Sequence, residues 1–318
     1  MTERVAVIIV NWNGLEYLQT CLPALLAQTE IAFETLVVDN GSTDGSVEWL
    51  QSTYPEVQLI RNSENRGFAE ANNQGIRVTH GEYVVLLNND TQPSPGWLAS
   101  LVAAVERDDC VGMVASQICL AHTPGRLDSA GIEVDVLGMA WNRRWGEVVA
   151  AEPSDPVEVF GPSAAAALYR RKMLDEIGLF DERYFAYYED VELAWRARRA
   201  GWRCLYVPTA RVLHIHSATA SRMSGFKAHQ IGLNKWRTLF RHYPFRRLWI
   251  WAPLLLLIDV ASWFGPLVFR LELAPLRGRW QAWKHCKALC AERHHVLEKH
   301  DVSGDLCLPR LRSFLGSK

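Results

Sequence analysis

Residues 83–92 read YVVLLNNDTQ. The apolar run predicts a strand buried on both faces, and it stops abruptly at two amides and one carboxylate. The same event recurs upstream. VAVIIV (5–10) ends at Asn11, TLVVD (35–39) ends at Asp39, and VQLIR (57–61) ends at Arg61. Between these runs lie helix-like segments: Leu18, Leu22, Leu25 and Leu26 at helical spacing, GSVEWLQ after the NGSTDGS turn, and AEANNQGIRVT. Strands alternating with helices predict right-handed crossovers and a mostly parallel sheet with helices on both faces. Ligands of such sheets lie beyond the carboxyl ends of the strands, where these polar residues gather.

Downstream, SPGWLASLVAAVERDD predicts a helix opened by Ser94 with Pro95 just inside it. VGMVASQICL and VEVFGPSAAAALYR predict further strands. The Ser/Ala run in GPSAAAALYR (161–170) suits either tight packing or a cleft floor that leaves room for a ligand. GLFDERYFAYYEDVELAWRARRAGW is a loop feeding a helix, with Glu189 or Asp190 in its first turn and Gly201 at its end. Beyond Arg222 the texture changes. Residues 248–269, LWIWAPLLLLIDVASWFGPLVF, are almost wholly apolar and flanked by arginines, with Pro253, Asp259, Gly265 and Pro266 as interruptions. Three arrangements follow: a membrane span, an in-plane anchor, or a helical hairpin packed on the main domain. Trp249, Trp251 and Trp263 favour the membrane surface.

The chain has 318 residues, 49% of them apolar, and a formal net charge of −1. That balance argues against nucleic acid as a partner. No signal peptide is visible, and seven cysteines without a CxxC pair suit reduced thiols in the cytoplasm. Cys286, Cys290 and His294 share a helical face, but three ligands on one helix seldom converge on a metal.

Individually the polar positions have ordinary explanations. Asp39 suits hydrogen bonding to a nucleoside or capping of the next helix. Asp90 suits Mg²⁺ or Mn²⁺ on a diphosphate, or a solvated turn. Asp190 suits proton transfer or a helix first turn, where burial would raise its pKa and the helix dipole would lower it. His214 and His216 alternate on VLHIH and so share one side of a strand.

In order, VAVIIVNWNG, VVDNGSTDGS, NRGFAEANNQGI, LLNNDT, GLFDERYFAYYEDVELAWRARRAG and VLHIHSATAS resemble the family 2 inverting glycosyltransferases, in particular their rhamnosyltransferase-like branch. The resemblance covers residues 3–222 and implies a GT-A fold, Rossmann-like, in residues 1–222. A C-terminal helical, basic and apolar region, 223–318, would then contact the membrane through 241–279. It implies a nucleotide-diphosphate sugar donor, with dTDP-rhamnose ahead of UDP-hexoses and UDP-N-acetylhexosamines. The implied acceptor is lipid-linked or a surface glycan, met at the cytoplasmic face of the inner membrane. Asn11 and Asp39 would hold the nucleoside. Arg66, Gly67, Asn72 and Asn73 would line the nucleotide and diphosphate. Asn89 and Asp90 take the place of the family's DxD, with Asp90 and His214 (or His216) on a divalent metal, Mg²⁺ or Mn²⁺. Asp190 matches the catalytic base, Glu189 would orient the acceptor, and Arg222 would neutralise phosphate. Two departures stand out: the DxD is reduced to NND, and no QxxRW motif of processive synthases is present. A nucleotidyltransferase would need a basic Gly-rich loop that NWNGLEYL lacks, and a non-catalytic nucleotide-sugar-binding protein would have no need of the retained base.

Overall fold

The computed structural model describes residues 3–123, 125–149, 155–215, 225–270 and 273–299. The first half follows the alternation of its sequence. β1 (Val5–Asn11), α1 (Leu15–Leu26), β2 (Phe33–Asp39), α2 (Ser46–Thr53), β3 (Gln58–Arg61), α3 (Phe68–Val78) and β4 (Tyr83–Asn88) form a parallel unit. Ile8 and Leu86 pack into the core on one sheet face, and Val7 and Val85 into the core on the other. That is why these strands read as unbroken apolar runs.

The chain then departs from simple alternation. Thr91–Pro93 is a short strand, β5, and the next helix, α4, begins at Trp97 and ends at Val105. Ser94 therefore does not open the helix, as its position had suggested. Its N–H is bonded to the Arg211 carbonyl, and its own carbonyl accepts from Trp97 across a tight turn in which Gly96 takes a positive φ of 74°. After β6 (Val111–Leu120) come four short strands: β7 (Leu127–Ser129), β8 (Ile132–Val134), β9 (Ala140–Asn142) and β10 (Val157–Val159). β11 (Ala166–Arg170), α5 (Arg171–Ile177), α6 (Glu189–Arg199) and β12 (Arg203–His214) complete the sheet region. The strand order is β10-β12-β6-β11-β4-β1-β2-β3, with β5 on β12 and β7 on β6. β11 is antiparallel to both of its neighbours, so the sheet is mixed where an all-βαβ reading expects parallel strands.

Four helices follow: α7 (Phe226–His242), α8 (Phe245–Arg270), α9 (Ala274–Lys284) and α10 (Cys286–Lys299). Leu233, Trp236, Leu239 and Phe240 of α7 belong to the same buried cluster as the sheet residues, so the core continues past residue 222. α8 is one helix, not the interrupted segment that Pro253, Gly265 and Pro266 suggested. Pro253 lies on its exposed face, where the carbonyl deprived of a helical donor can meet water. Among the described residues no helix is long and apolar enough to cross a membrane. Asp259 is turned inward, where it pairs with Lys235 and Arg279 and accepts from the Trp236 indole at 2.8 Å.

α6 and α7 are joined through Glu192, which is fully buried. Its carboxylate receives Arg196 at 2.7 Å, His242 Nε2 at 3.0 Å and Arg241 at 3.2 Å. Burial pushes the Glu192 pKa up, but Arg196, the His242 hydrogen bond and Arg241 together hold it well below the usual range. With two arginines already on that carboxylate, burial keeps His242 neutral and lowers its pKa to about 4. Removing one partner of such a cluster strands buried charge. Glu192→Ala is therefore expected to cost about 3–5 kcal/mol in denaturant unfolding. His242 adds a pH signature. The unfolded chain takes up its proton near pH 6.5 and the folded chain only near 4, so this contribution is present above pH 6.5 and lost as pH falls towards 4. Unfolding curves across that window check both expectations.

Candidate active site

Strand register assembles the site. Asn11 of β1 is paired with Asp39 of β2, and Val10 is paired with Asn88 of β4, so three strands end together. β11 enters antiparallel beside β4, with the Asn88 N–H bonded to the Ala165 carbonyl at 2.8 Å. Ser163, Ala164 and Ala165 consequently lie against the NND segment and line a cavity of about 580 Å³. The small residues of GPSAAAALYR form cleft wall there. β12 pairs with β5 so that His214 faces Thr91, and the Ile215 N–H donates to the Asp90 carbonyl. Two segments more than a hundred residues apart are thereby fixed side by side.

His214 Nε2 lies 3.2 Å from Asp90 Oδ1, and its Nδ1 is 2.6 Å from Asp128 Oδ2. All three side chains are buried. Burial opposes a charge on the imidazole, but the hydrogen bonds and charges of Asp128 and Asp90 prevail and raise its pKa to about 9. A cation is thus favoured between these carboxylates. Asp90 and His214 offer a hard oxygen and an imidazole nitrogen at one cavity wall, while Asp128 behind the ring fixes its orientation as carboxylates commonly do for metal-binding histidines. Among the described residues no group of three or more metal-ligating side chains converges. Two protein donors suit Mg²⁺ or Mn²⁺, which take most of their oxygens from substrate phosphates and water. The donor set therefore fits the ion expected from the sequence. Cys286 and Cys290 are half-buried; the His294 side chain and His216 lie outside the described residues, as does Arg222.

The second chemical group lies at the start of α6. Glu189 and Asp190 both line the cavity, among Tyr187, Tyr188, Trp141 and Phe226. Burial raises both carboxyl pKa values, and the neighbouring Asp190 charge raises Glu189 further. Between burial and the helix dipole, burial prevails. The two acids differ in their hydrogen bonds. Asp190 accepts the Ala164 N–H at 3.2 Å and the Val191 N–H at 2.8 Å, whereas Glu189 Oε2 has no hydrogen-bond partner. Donors to the charged form make Asp190 the acid that ionises more readily and leave Glu189 the better proton holder.

The other expected residues divide in two. Gly67 and Asn89 line the cavity with Asp90, Glu189, Asp190 and His214. Asn11, Asp39, Arg66, Asn72 and Asn73 do not. Asn11 donates to Asp39 at 3.1 Å and accepts from Asn89 at 2.7 Å, a buried chain that holds the strand ends together. The Arg66 guanidinium pairs with Glu70, and the Asn72 amide donates to the Phe68 carbonyl. Asn73 braces the loop before α6, bonding the Phe180 carbonyl at 2.8 Å and N–H at 3.1 Å, and Glu182 at 3.0 Å. Sequence reading missed several lining residues: Trp12, Asn40, Asn65, Asp128, the β8–β9 residues Ile132, Ala140, Trp141 and Asn142, and Phe226, Lys227 and Ile231 of α7. Lys227 lies over the Tyr187 ring at 5.5 Å. Asp128 is the middle residue of the short LDS strand, so it offered none of the strand-end signal that marked the other carboxylates.

The loop before α6 is strained. Phe185, Tyr187 and Tyr188 have φ of 59°, 69° and 72°, each costing about 1–3 kcal/mol in a non-glycine residue. Asn234 of α7 offsets this by donating to the carbonyls of Tyr184, Ala186 and Tyr187 at 2.8, 3.0 and 2.7 Å. On the other side the Phe185 carbonyl accepts the first N–H groups of α3, from Phe68 and Ala69. That approach needs Gly67, at φ 88°, because a β-carbon there would lie 2.6 Å from the Phe185 ring.

Comparison with known proteins gives the family and the fold. Residues 6–178 match the model of glycosyl transferase family 2, and the chain belongs to that family. It is 32% identical over 253 residues to the N-acetylglucosaminyl-diphospho-decaprenol L-rhamnosyltransferase of Mycobacterium tuberculosis, covering 72% of this chain and 82% of the relative. A pre-mycofactocin glycosyltransferase of the same organism is 30% identical over 207 residues, or 65% of this chain and 41% of the relative. Among solved structures, GalNAc-T7 with UDP, GalNAc and Mn²⁺ superposes with a TM-score of 0.63 at 15% identity, covering 95% of this chain and 58% of its own. S. aureus TarS 1-349 gives 0.56 at 17% identity, with 94% and 88% covered. These likenesses establish a GT-A-like fold and a glycosyltransferase.

Asn234→Ala removes the donor shared by three loop carbonyls. It is expected to lower stability by about 1–3 kcal/mol and to speed proteolysis within residues 184–188. Thermal melting and limited proteolysis with mapped cleavage sites check this.

Proposed function

We propose that the chain is a metal-dependent inverting glycosyltransferase that moves a sugar from a nucleoside-diphosphate donor to a hydroxyl of a lipid-linked or surface-glycan acceptor. The observation that carries the reading is the sharing of one aromatic-walled cavity by the Glu189–Asp190 pair and the Asp90–His214 contact. Rhamnose from dTDP-rhamnose is the leading donor, supported by the 32% identical relative named for L-rhamnosyl transfer to a decaprenol-linked acceptor. UDP-hexoses and UDP-N-acetylhexosamines are the competing donors. The work is placed at the cytoplasmic face of the inner membrane, with peripheral contact through residues 241–279.

The reaction is a single in-line displacement. The acceptor oxygen forms its bond to the anomeric carbon as the bond from that carbon to the diphosphate oxygen breaks, and the electron pair leaves with the diphosphate. Asp190 takes the acceptor proton, a role worth about 10²–10⁴ in rate. Its two N–H donors keep it ionised, while Glu189 holds a proton and orients the acceptor. Asp90 and His214 would hold the divalent ion, whose charge stabilises the departing diphosphate. Asp128 keeps the His214 ring aimed. Asn89, braced by Asn11, and Gly67 would form part of the nucleotide-sugar seat, and Asp39 and Asn11 would support the nucleoside from below. Arg66, Asn72 and Asn73 would act by shaping α3 and its loop.

Asp190→Asn is expected to reduce kcat by about 10²–10⁴ with donor binding retained, whereas Glu189→Gln, which keeps the neutral form, loses less than about 10-fold. Near-normal turnover by Asp190→Asn would remove it as base and favour a non-catalytic nucleotide-sugar binder. Because the Asp190 pKa is raised, kcat/KM should fall as pH is lowered, with an acid limb above the ordinary aspartate value of about 3.9. A donor screen by melting-temperature shift, with and without Mn²⁺ and after chelation, tests donor and metal together. Equal shifts in chelator would reject the Asp90–His214 assignment.

A further inference from the structure

The outward side of α8 has the wrong polarity for a helix facing water. Trp249, Ile250, Leu256, Leu257 and Val260 recur at helical spacing and are 68, 69, 42, 66 and 42% exposed. The one carboxylate between residues 245 and 261, Asp259, points inward and is 5% exposed, held by Lys235, Arg279 and Trp236. The protein thus spends its polar contact on seating the helix and leaves the apolar side uncovered. Scattered exposed apolar residues are ordinary, but a continuous stripe along one helix marks an interaction surface.

Charge selects among occupants. The stripe begins at exposed Arg246, and exposed Arg277 and Lys284 lie on α9, which Arg279 ties to α8 through Asp259. The outward residues of 245–261 include no acid. A second copy of this chain would bring the same cations to the contact without carboxylates from that stripe to meet them. An anionic lipid surface supplies both the apolar phase and the negative charge.

We propose that α8 lies in the plane of an anionic phospholipid surface, with Trp249, Ile250 and Leu257 immersed at the boundary of headgroups and acyl chains and Asp259 retained in the protein. This rests on the membrane contact proposed for residues 241–279 and gives it a face, an orientation and a lipid charge.

The test uses the full chain in co-sedimentation with vesicles of phosphatidylglycerol and phosphatidylethanolamine, compared with phosphatidylcholine alone. Binding to the anionic vesicles is expected, weakening as salt rises. Ile250→Glu with Leu257→Glu should weaken it at least about 10-fold, since each residue contributes apolar burial worth about that factor, while melting temperature and donor binding stay unchanged. Arg246→Glu should weaken binding to anionic vesicles only. Should the double variant fail to fold, quenching of wild-type tryptophan fluorescence by lipids brominated near the headgroup end of the acyl chains gives an independent answer, and quenching is expected. Absence of vesicle binding by the wild type, unchanged binding by the folded double variant, absence of quenching, or a wild-type dimer that the double variant dissolves would each overturn the proposal. Transfer to a water-soluble acceptor analogue separates the two readings. Its survival without vesicle binding sinks this inference alone, and its loss with vesicle binding intact sinks the catalytic one alone.

Discussion

A buried carboxylate with no access to water must be met by the protein's own cations, and at Glu192 that requirement joins the fold to its chemistry. One turn before it on α6 lie Glu189 and Asp190, facing the cavity. Glu192 turns the other way and draws in Arg196 from its own helix and Arg241 from α7, with the neutral His242 imidazole of α7 hydrogen-bonded beside them. The ion cluster therefore clamps the helix bearing the acids to the helix bearing Asn234, which in turn holds the strained loop. The gain lies in position more than in stability, because a buried ion cluster repays little of its own desolvation.

The cavity is rich in acids, and its surroundings offset their charge. Asp90, Asp128, Glu189 and Asp190 line it, with His214 and Lys227 beside them. Asp90 and Asp128 favour positive charge at the His214 position, and burial disfavours a second negative charge on the Glu189–Asp190 pair, most strongly at Glu189. The two halves call for different treatment. One favours a cation, and the other favours a proton.

The parallel half of the sheet was legible because strands covered on both faces have no polar positions to obscure the pattern. The antiparallel insertion of β11 was not legible, since pairing partners so distant in sequence leave no periodic trace. Proximity of His214 to Asp90 depends on β5, three residues long, pairing with β12, and TQP carries no strand signal of its own. Family motifs pointed to both residues but not to Asp128 between them. The same motifs also overreached. Asn73 has the residue type of a ligand contact, yet its amide is consumed by Phe180 and Glu182. α8 misled in the opposite sense. Asp259 reads as an interruption of an apolar run, but on the helix it occupies the protein side, which periodicity reveals only when it is known which face is covered.

The bond between the Phe185 carbonyl and the start of α3 has one more consequence. Helix N-termini following a glycine are ready anion sites, and the Arg66–Gly67 segment would place one close to a diphosphate. Here the N–H groups of Phe68 and Ala69 are already taken by Phe185. An anion and the loop leading to Asp190 would compete for these two donors. While the loop is seated, those two N–H groups are withheld from any solute, so the start of α3 and the approach to α6 answer to one backbone carbonyl.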